Sequence, residues 1–210
     1  MILRLEQASD REQVEYLTRE AFWNRNVPGC DEHYLAHTLR QAPAFVAELN
    51  FVAEIDGEIV GNIMYARACI HTGQDGDREV LTFGPVSVLP SLQSKGIGGA
   101  LITHTLALAC DMDFQAVVIY GDPAYYCRFG FVAGEQYGIC SKDGWFSPAL
   151  QVLELVPGSL QAVSGRFDEG DAYHVDPEAA AEYDKLFPPK VKEETPSQAR
   201  FRELLSQSHQ

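Results

Sequence analysis

The chain is poor in positive charge and has no long apolar run, and both shortages narrow what it can do. Sixteen lysines and arginines face thirty acidic side chains, a formal net charge of −14. Polynucleotides are bound through clustered cations that neutralise phosphates, so no nucleic-acid partner is expected. No stretch approaches the roughly 18 consecutive apolar residues of a membrane span, and Met1-Ile-Leu-Arg-Leu-Glu-Gln7 lacks the basic-then-apolar layout of an export signal. A cytoplasmic protein with no membrane partner is the expectation. Cysteine is sparse too: Cys30, Cys69, Cys110, Cys127 and Cys140 are scattered and form no C-x-x-C pair. A disulfide framework, a zinc site or a dithiol centre is therefore not expected, and the thiols read as reduced. Internal repeats and low-complexity tracts are also missing.

What is present describes a folded globular chain. Hydrophobic residues make up 46% and charged residues 22% of 210 residues, an average globular composition that favours one domain or one domain with an appendage. Ser9-Asp10-Arg11-Glu12 has capping-box spacing, and Val14, Leu17, Ala21 and Phe22 follow at helical intervals, predicting a helix over 10–22. Asp31 is the expected cap of a second helix that ends by Pro43. Residues 45–55 and 58–65 read as two antiparallel strands joined at Asp56-Gly57, a dipeptide suited to a tight hairpin. A polar loop over 73–78 leads to a strand over 80–89. A helix over 98–112 and a fully apolar strand over 116–120 complete a strand–helix–strand crossover, which calls for two parallel strands. Asp122-Pro123 starts a short helix that Gly130 stops. A last strand over 151–156 is followed by a looser stretch over 165–189, and Thr195-Pro-Ser-Gln198 opens a closing helix.

The chemistry concentrates between Gly84 and Leu101, where a strand runs through Gln93-Ser94-Lys95-Gly96-Ile97-Gly98-Gly99 into a helix. Glycines let backbone approach a ligand closely, and the first amides of a helix are unpaired donors backed by a positive dipole, so a pyrophosphate suits this place. Lys95 adds a local cation, which answers the objection that a chain of charge −14 would repel an anionic ligand. The P-loop pattern is absent because Lys95 precedes its glycine. The dinucleotide fingerprint fails at Leu101 and belongs on an opening strand rather than after a hairpin. Q-x-x-G-x-G, supplied by Gln93, Gly96 and Gly98, is what remains.

With these residues the sequence resembles the GNAT superfamily of N-acetyltransferases, whose acetyl-CoA motif is [RQ]-x-x-G-x-[GA]. It is most similar to the bacterial YhbS-like branch, through the Gly84-Pro85 strand, the Lys95-Gly-Ile-Gly98 loop and the segment from Gly121 to Phe131. The resemblance implies an α/β (α+β) fold: a central, mixed, mostly antiparallel sheet flanked by helices, with a transferase domain over 1–160 and a C-terminal extension over 161–210. It implies acetyl-CoA as cosubstrate, with Val86, Ser87 and Val88 facing the pantetheine arm and residues 93–99 binding the pyrophosphate. It also implies Tyr126 as the acid that protonates the departing thiolate. Chemistry asks for such a group independently: a thiol of pKa about 8.5 leaves faster when protonated, and tyrosine, near 10, still holds its proton at neutral pH. The implied partners are acetyl-CoA and a small-molecule or protein amine, cationic by the chain's acidity, with a homodimer left open. The rival functions are a non-catalytic acyl-CoA-binding or sensor module and a nucleotide-binding oxidoreductase.

A base must take a proton from the amine, and Glu48, Glu54, Glu79 or a water chain are the candidates. His33 and His37 have the spacing of two metal ligands but lack the H-E-x-x-H glutamate, so a solvated helix face is expected and no metal site. Cys127 adjoins Tyr126 without a histidine nearby in sequence and reads as a small filler residue. Tyr125 is the neighbour most easily confused with Tyr126. Phe22 and Trp23 are read either as pocket lining or as core.

Overall fold

The computed structural model describes residues 1–73 and 76–210. In chain order its elements are β1 (Ile2–Leu5), α1 (Arg11–Phe22), α2 (Glu32–Leu39), β2 (Phe51–Ile55), β3 (Glu58–His71), β4 (Arg78–Val88), α3 (Ile97–Asp111) and β5 (Ala116–Tyr120). They continue with α4 (Pro123–Tyr126), β6 (Val132–Ala133), β7 (Ile139–Ser141), β8 (Leu150–Glu154), β9 (Gly165–Asp168), α5 (Pro177–Asp184) and α6 (Pro196–Ser206). One sheet runs β1-β2-β3-β4-β5-β8-β6, and β9 joins it against β3 and β7. The pairings are antiparallel except β4 with β5 and β7 with β9. This is the mixed, mostly antiparallel sheet with flanking helices that the sequence implied.

Alternation along β3, β4 and β5 sorts the core onto two faces, as strand geometry requires. Ile63, Tyr65, Leu81, Val117 and Ile119 pack on one face with Ile97, Leu101 and Ile102 of α3. On the other, Met64 and Ala66 meet Ala36 and Leu39 of α2, Val52 and Ile59 meet Val14 and Leu17 of α1, and Val80, Ala116 and Val118 join Phe167 of β9.

Several local expectations are corrected. Ser9 forms no capping box for α1. The Asp10 carboxylate instead accepts from the Gln7 amide at 2.7 Å and from Arg4, so it closes the preceding turn. Residues 45–50 are not strand: Phe45 makes one isolated bridge to Ala66, and 47–49 form a 3-10 turn before β2 starts. β9 and α5 fall where the sequence reads as loose, because each is short and draws its stability from long-range partners rather than from a periodic pattern. Positions 74 and 75 of the polar loop lie outside the described residues.

β4 and β5 share a single register pair, Leu81 with Val117. Beyond it, β5 pairs with β8 and β4 stays with β3. Between Phe83 and Val86, β4 carries one residue more than β3 offers opposite, a bulge at Gly84-Pro85. A bulge bends and twists its strand. Here it accompanies the opening of a seam between two parallel strands.

Candidate functional site

The seam is flanked on its α3 side by the glycine-rich loop. Gly96 caps α3 with φ +87°, a left-handed geometry that costs most other residues about 1 kcal/mol or more, and it offers no side-chain cap. The first intrahelical bond runs from the Ala100 amide to the Gly96 carbonyl at 2.9 Å. The amides of Ile97, Gly98 and Gly99 therefore open the helix without intrahelical partners, the arrangement that receives an anion. Ser94 adopts a positive φ of 62° in the same loop.

The side chains of this stretch divide the work. Gln93 Nε2 donates to the Val88 carbonyl at 3.1 Å, so it ties the loop back to the end of β4. Lys95 is exposed and makes no ion pair among the described residues. Ile97 is buried beneath the helix in the α3-side core, which Val86 and Val88 join as partly buried residues. The Ser87 hydroxyl is buried on the opposite face and donates to Thr18 Oγ1 at 3.1 Å, and the Ser87 main chain pairs with Asn62 of β3.

The tyrosine pair separates. The Asp122 carboxylate accepts from the Ala124 amide at 2.9 Å and starts α4, as its sequence predicted. Gly130 then ends the segment at φ +90°. The Tyr126 ring sits beside Phe83 of β4 at 5.9 Å and Phe131 at 5.7 Å, and across from Gly121, which directly follows β5. A Cβ at Gly121 would lie 2.1 Å from that ring, so only glycine leaves the space Tyr126 occupies. Its hydroxyl makes no hydrogen bond among the described residues, and burial pushes its pKa up from the ordinary tyrosine value, keeping it protonated. Tyr125 points elsewhere: its hydroxyl lies 3.2 Å from where a Gly98 Cβ would be, over the loop, with the Arg128 guanidinium 4.5 Å from its ring.

The three glutamates considered as a base are each engaged or exposed. Glu54 is held by Arg4 at 2.8 Å, Glu79 by Arg67 at 2.5 Å, and Glu48 is exposed on its 3-10 turn. On the face opposite α3, however, Tyr120, Lys142, Phe167, Asp168, Glu169 and Tyr173 surround a cavity of about 240 Å³. Sequence reading passed over these residues because they come from separate segments. Asp168-Glu-Gly-Asp171 falls within the looser stretch over 165–189.

His33 and His37 serve the fold. His33 Nε2 is 3.2 Å from Asp184 and burial lowers its pKa, while His37 Nδ1 lies 3.2 Å from Glu15 and 3.0 Å from the Tyr183 hydroxyl. Cys127 is exposed, with Sγ 3.7 Å from the Ala124 carbonyl. Trp23 donates to the Val191 carbonyl at 2.9 Å and lies under Arg19, so it anchors the C-terminal segment.

Residues 47–133 match the model of the acetyltransferase (GNAT) domain. Over 166 residues the chain is 27% identical to the uncharacterized N-acetyltransferase YhbS of Escherichia coli K12, covering 79% of this chain and 93% of that one. A crystal structure of Escherichia coli YhbS in complex with CoA superposes with a TM-score of 0.72 at 24% identity, over 82% of this chain and 91% of the other. A GNAT family acetyltransferase from Brucella melitensis, in complex with acetyl-CoA, superposes with a TM-score of 0.67 at 29% identity, over 82% of this chain and 97% of that one.

Proposed function

We propose that this chain, whose residues 47–133 match the acetyltransferase (GNAT) domain, moves acetyl from acetyl-CoA directly to the primary amine of a cationic acceptor. The observation that carries this is the β4–β5 seam, flanked by unpaired helix amides on one side and holding an unbonded tyrosine hydroxyl at its mouth. In this reading the amides of residues 96–99 bind the diphosphate, with Lys95 as a supplementary cation. Val86 and Val88, on either side of the Ser87 that pairs with Asn62, offer main-chain groups to the pantetheine amides, as a sheet edge does to an added strand. Gln93 holds the loop in place rather than touching the ligand, which fits its bond to Val88.

The thioester then lies at the opening beside Tyr126. Attack by the amine gives a tetrahedral intermediate, the C–S bond breaks, and sulfur leaves with the proton of the Tyr126 hydroxyl. The phenolate regains a proton that the new amide nitrogen sheds, so no covalent acyl-enzyme is required. Residues 1–160 carry the cofactor side of this chemistry, and residues 161–210 brace it through Arg200, whose guanidinium reaches both Asp122 oxygens at 3.1 Å, and through Asp184 on Arg19 at 2.6 Å.

Calorimetry with acetyl-CoA and a thiol-release assay over a panel of amines test this together. Tyr126→Phe is expected to keep acetyl-CoA affinity while lowering kcat about 10²-fold, the usual loss for a proton donor. A folded protein that takes up no acetyl-CoA would refute the proposal, and unchanged turnover in Tyr126→Phe would remove the tyrosine from it.

A further inference from the structure

We infer that the cavity on the face opposite α3 receives the cationic amine, and that Glu169 takes the proton the amine must lose before attack. The inference rests on the proposed transferase activity and adds an acceptor site and a base to it.

The cavity adjoins the seam through both splayed strands. Tyr120, the last residue of β5, forms part of its lining, and the next residue, Gly121, is the one packed against the Tyr126 ring. Tyr173, another lining residue, donates its hydroxyl to the Gly84 carbonyl at 3.0 Å, at the β4 bulge. Phe83, the residue before Gly84, stacks near Tyr126 from the α3 side. An acceptor in the cavity and a thioester beside Tyr126 would thus meet across the opening from opposite faces of the sheet.

The charges in the cavity select the occupant. Asp168 is already satisfied by Lys142 Nζ at 2.7 Å and the Gly170 amide at 2.9 Å, with His71 at 3.5 Å. Glu169 makes no hydrogen bond or ion pair among the described residues, and Asp171 and His174 complete the rim. Glu169 and Asp171, neither with a cation partner among the described residues, stand beside two tyrosine rings and suit an alkylammonium group, which gains charge pairing and aromatic contact together. A volume of about 240 Å³ fits one such arm rather than a large ligand. Burial, and then the charge of Asp168, raise the Glu169 carboxyl to about 7, so it both ionises and accepts a proton near neutral pH.

The step balances as follows. R–NH₃⁺ gives a proton to the Glu169 carboxylate, and the freed nitrogen lone pair forms the C–N bond. The C–S bond breaks with the Tyr126 proton going to sulfur, and Tyr126 recovers the second nitrogen proton. Glu169 releases its proton to water.

The test uses the full chain with acetyl-CoA and 1,5-diaminopentane, comparing wild type with Glu169→Gln. Wild-type kcat/KM is expected to show an acidic limb near pH 7. The variant should lose about 10²-fold at pH 7, regain rate as the pH rises, and keep its acetyl-CoA affinity. Independently of turnover, 1,5-diaminopentane should raise the melting temperature of wild type and not of the variant. A wild-type pH profile in Glu169→Gln, or the absence of any diamine shift in wild type that still binds acetyl-CoA, overturns the inference. Failure of wild type to bind acetyl-CoA overturns instead the transferase reading beneath it.

Discussion

On the α3 side of the seam, the groups proposed to hold the cofactor all come from one continuous stretch, residues 86–99, and most of them are main-chain amides. On the opposite side, the cavity draws on the end of β5, the turn after β7, the β9 segment and Tyr173, and its chemistry is all in side chains. The first arrangement needs only a strand, a turn with glycines and a helix, each specified locally. The second needs β9 to find β3 and β7, and Tyr173 to find β4, before any of it exists. A cofactor shared by many enzymes can be held by backbone, whereas a particular acceptor calls for particular side chains.

The largest expected effect breaks a brace from α5 that, like the cavity, exists only through long-range contacts. Asp184 joins α5 to Arg19 of α1 at 2.6 Å, and Arg19 is only 1% exposed. Asp184→Ala leaves that guanidinium buried without its carboxylate, and the loss should be roughly 3 kcal/mol, the low end for a broken buried pair since Asp184 keeps 20% exposure. Chemical denaturation measures it. If acetyl-CoA binding survives in the variant under folding conditions, the two sides are separable as described.

The middle effect falls on the seam itself. Gly121→Ala introduces a methyl where the Tyr126 ring stands, 2.1 Å away, so the ring must move. A drop in kcat of about 10²-fold is expected, matching loss of the hydroxyl, with acetyl-CoA affinity unchanged by calorimetry. Full activity would mean that the position of Tyr126 is not what the glycine protects.

The smallest effect tests the backbone side. Lys95 is an exposed cation, and exposed charge pairs contribute less than about 1 kcal/mol. Lys95→Ala should weaken acetyl-CoA only severalfold and flatten its salt dependence. A hundredfold loss would show that a side chain, not the α3 amides, carries the diphosphate.

Legibility in the sequence follows the same division. Gly96 and Gly98 stood out because glycine spacing has a local physical meaning, whereas Gln93 and Tyr126 were named through the resemblance to the family's motifs. The base did not: Glu48, Glu54, Glu79 and a water chain could not be ranked from the sequence, and two of the glutamates are held by arginines reached through sheet pairing. Gln93 was read as part of the pyrophosphate loop, and its side chain donates to the Val88 carbonyl rather than pointing outward. Tyr125 and Tyr126 could not be told apart until Gly98 and Gly121 supplied their opposite surroundings.

The sequence by itself determined where several helices begin and where glycines let the chain turn into α3, because these depend on neighbours a few residues apart. Tertiary structure alone decided that β9 enters the sheet, that the β4 bulge accompanies an open seam, and that Glu169 stands without a partner in a cavity beside it. Those outcomes depend on pairings between residues up to about a hundred positions apart, such as Cys69 with Asp168. The free energy of such pairings is set by burial and register across the whole sheet, which no local pattern encodes.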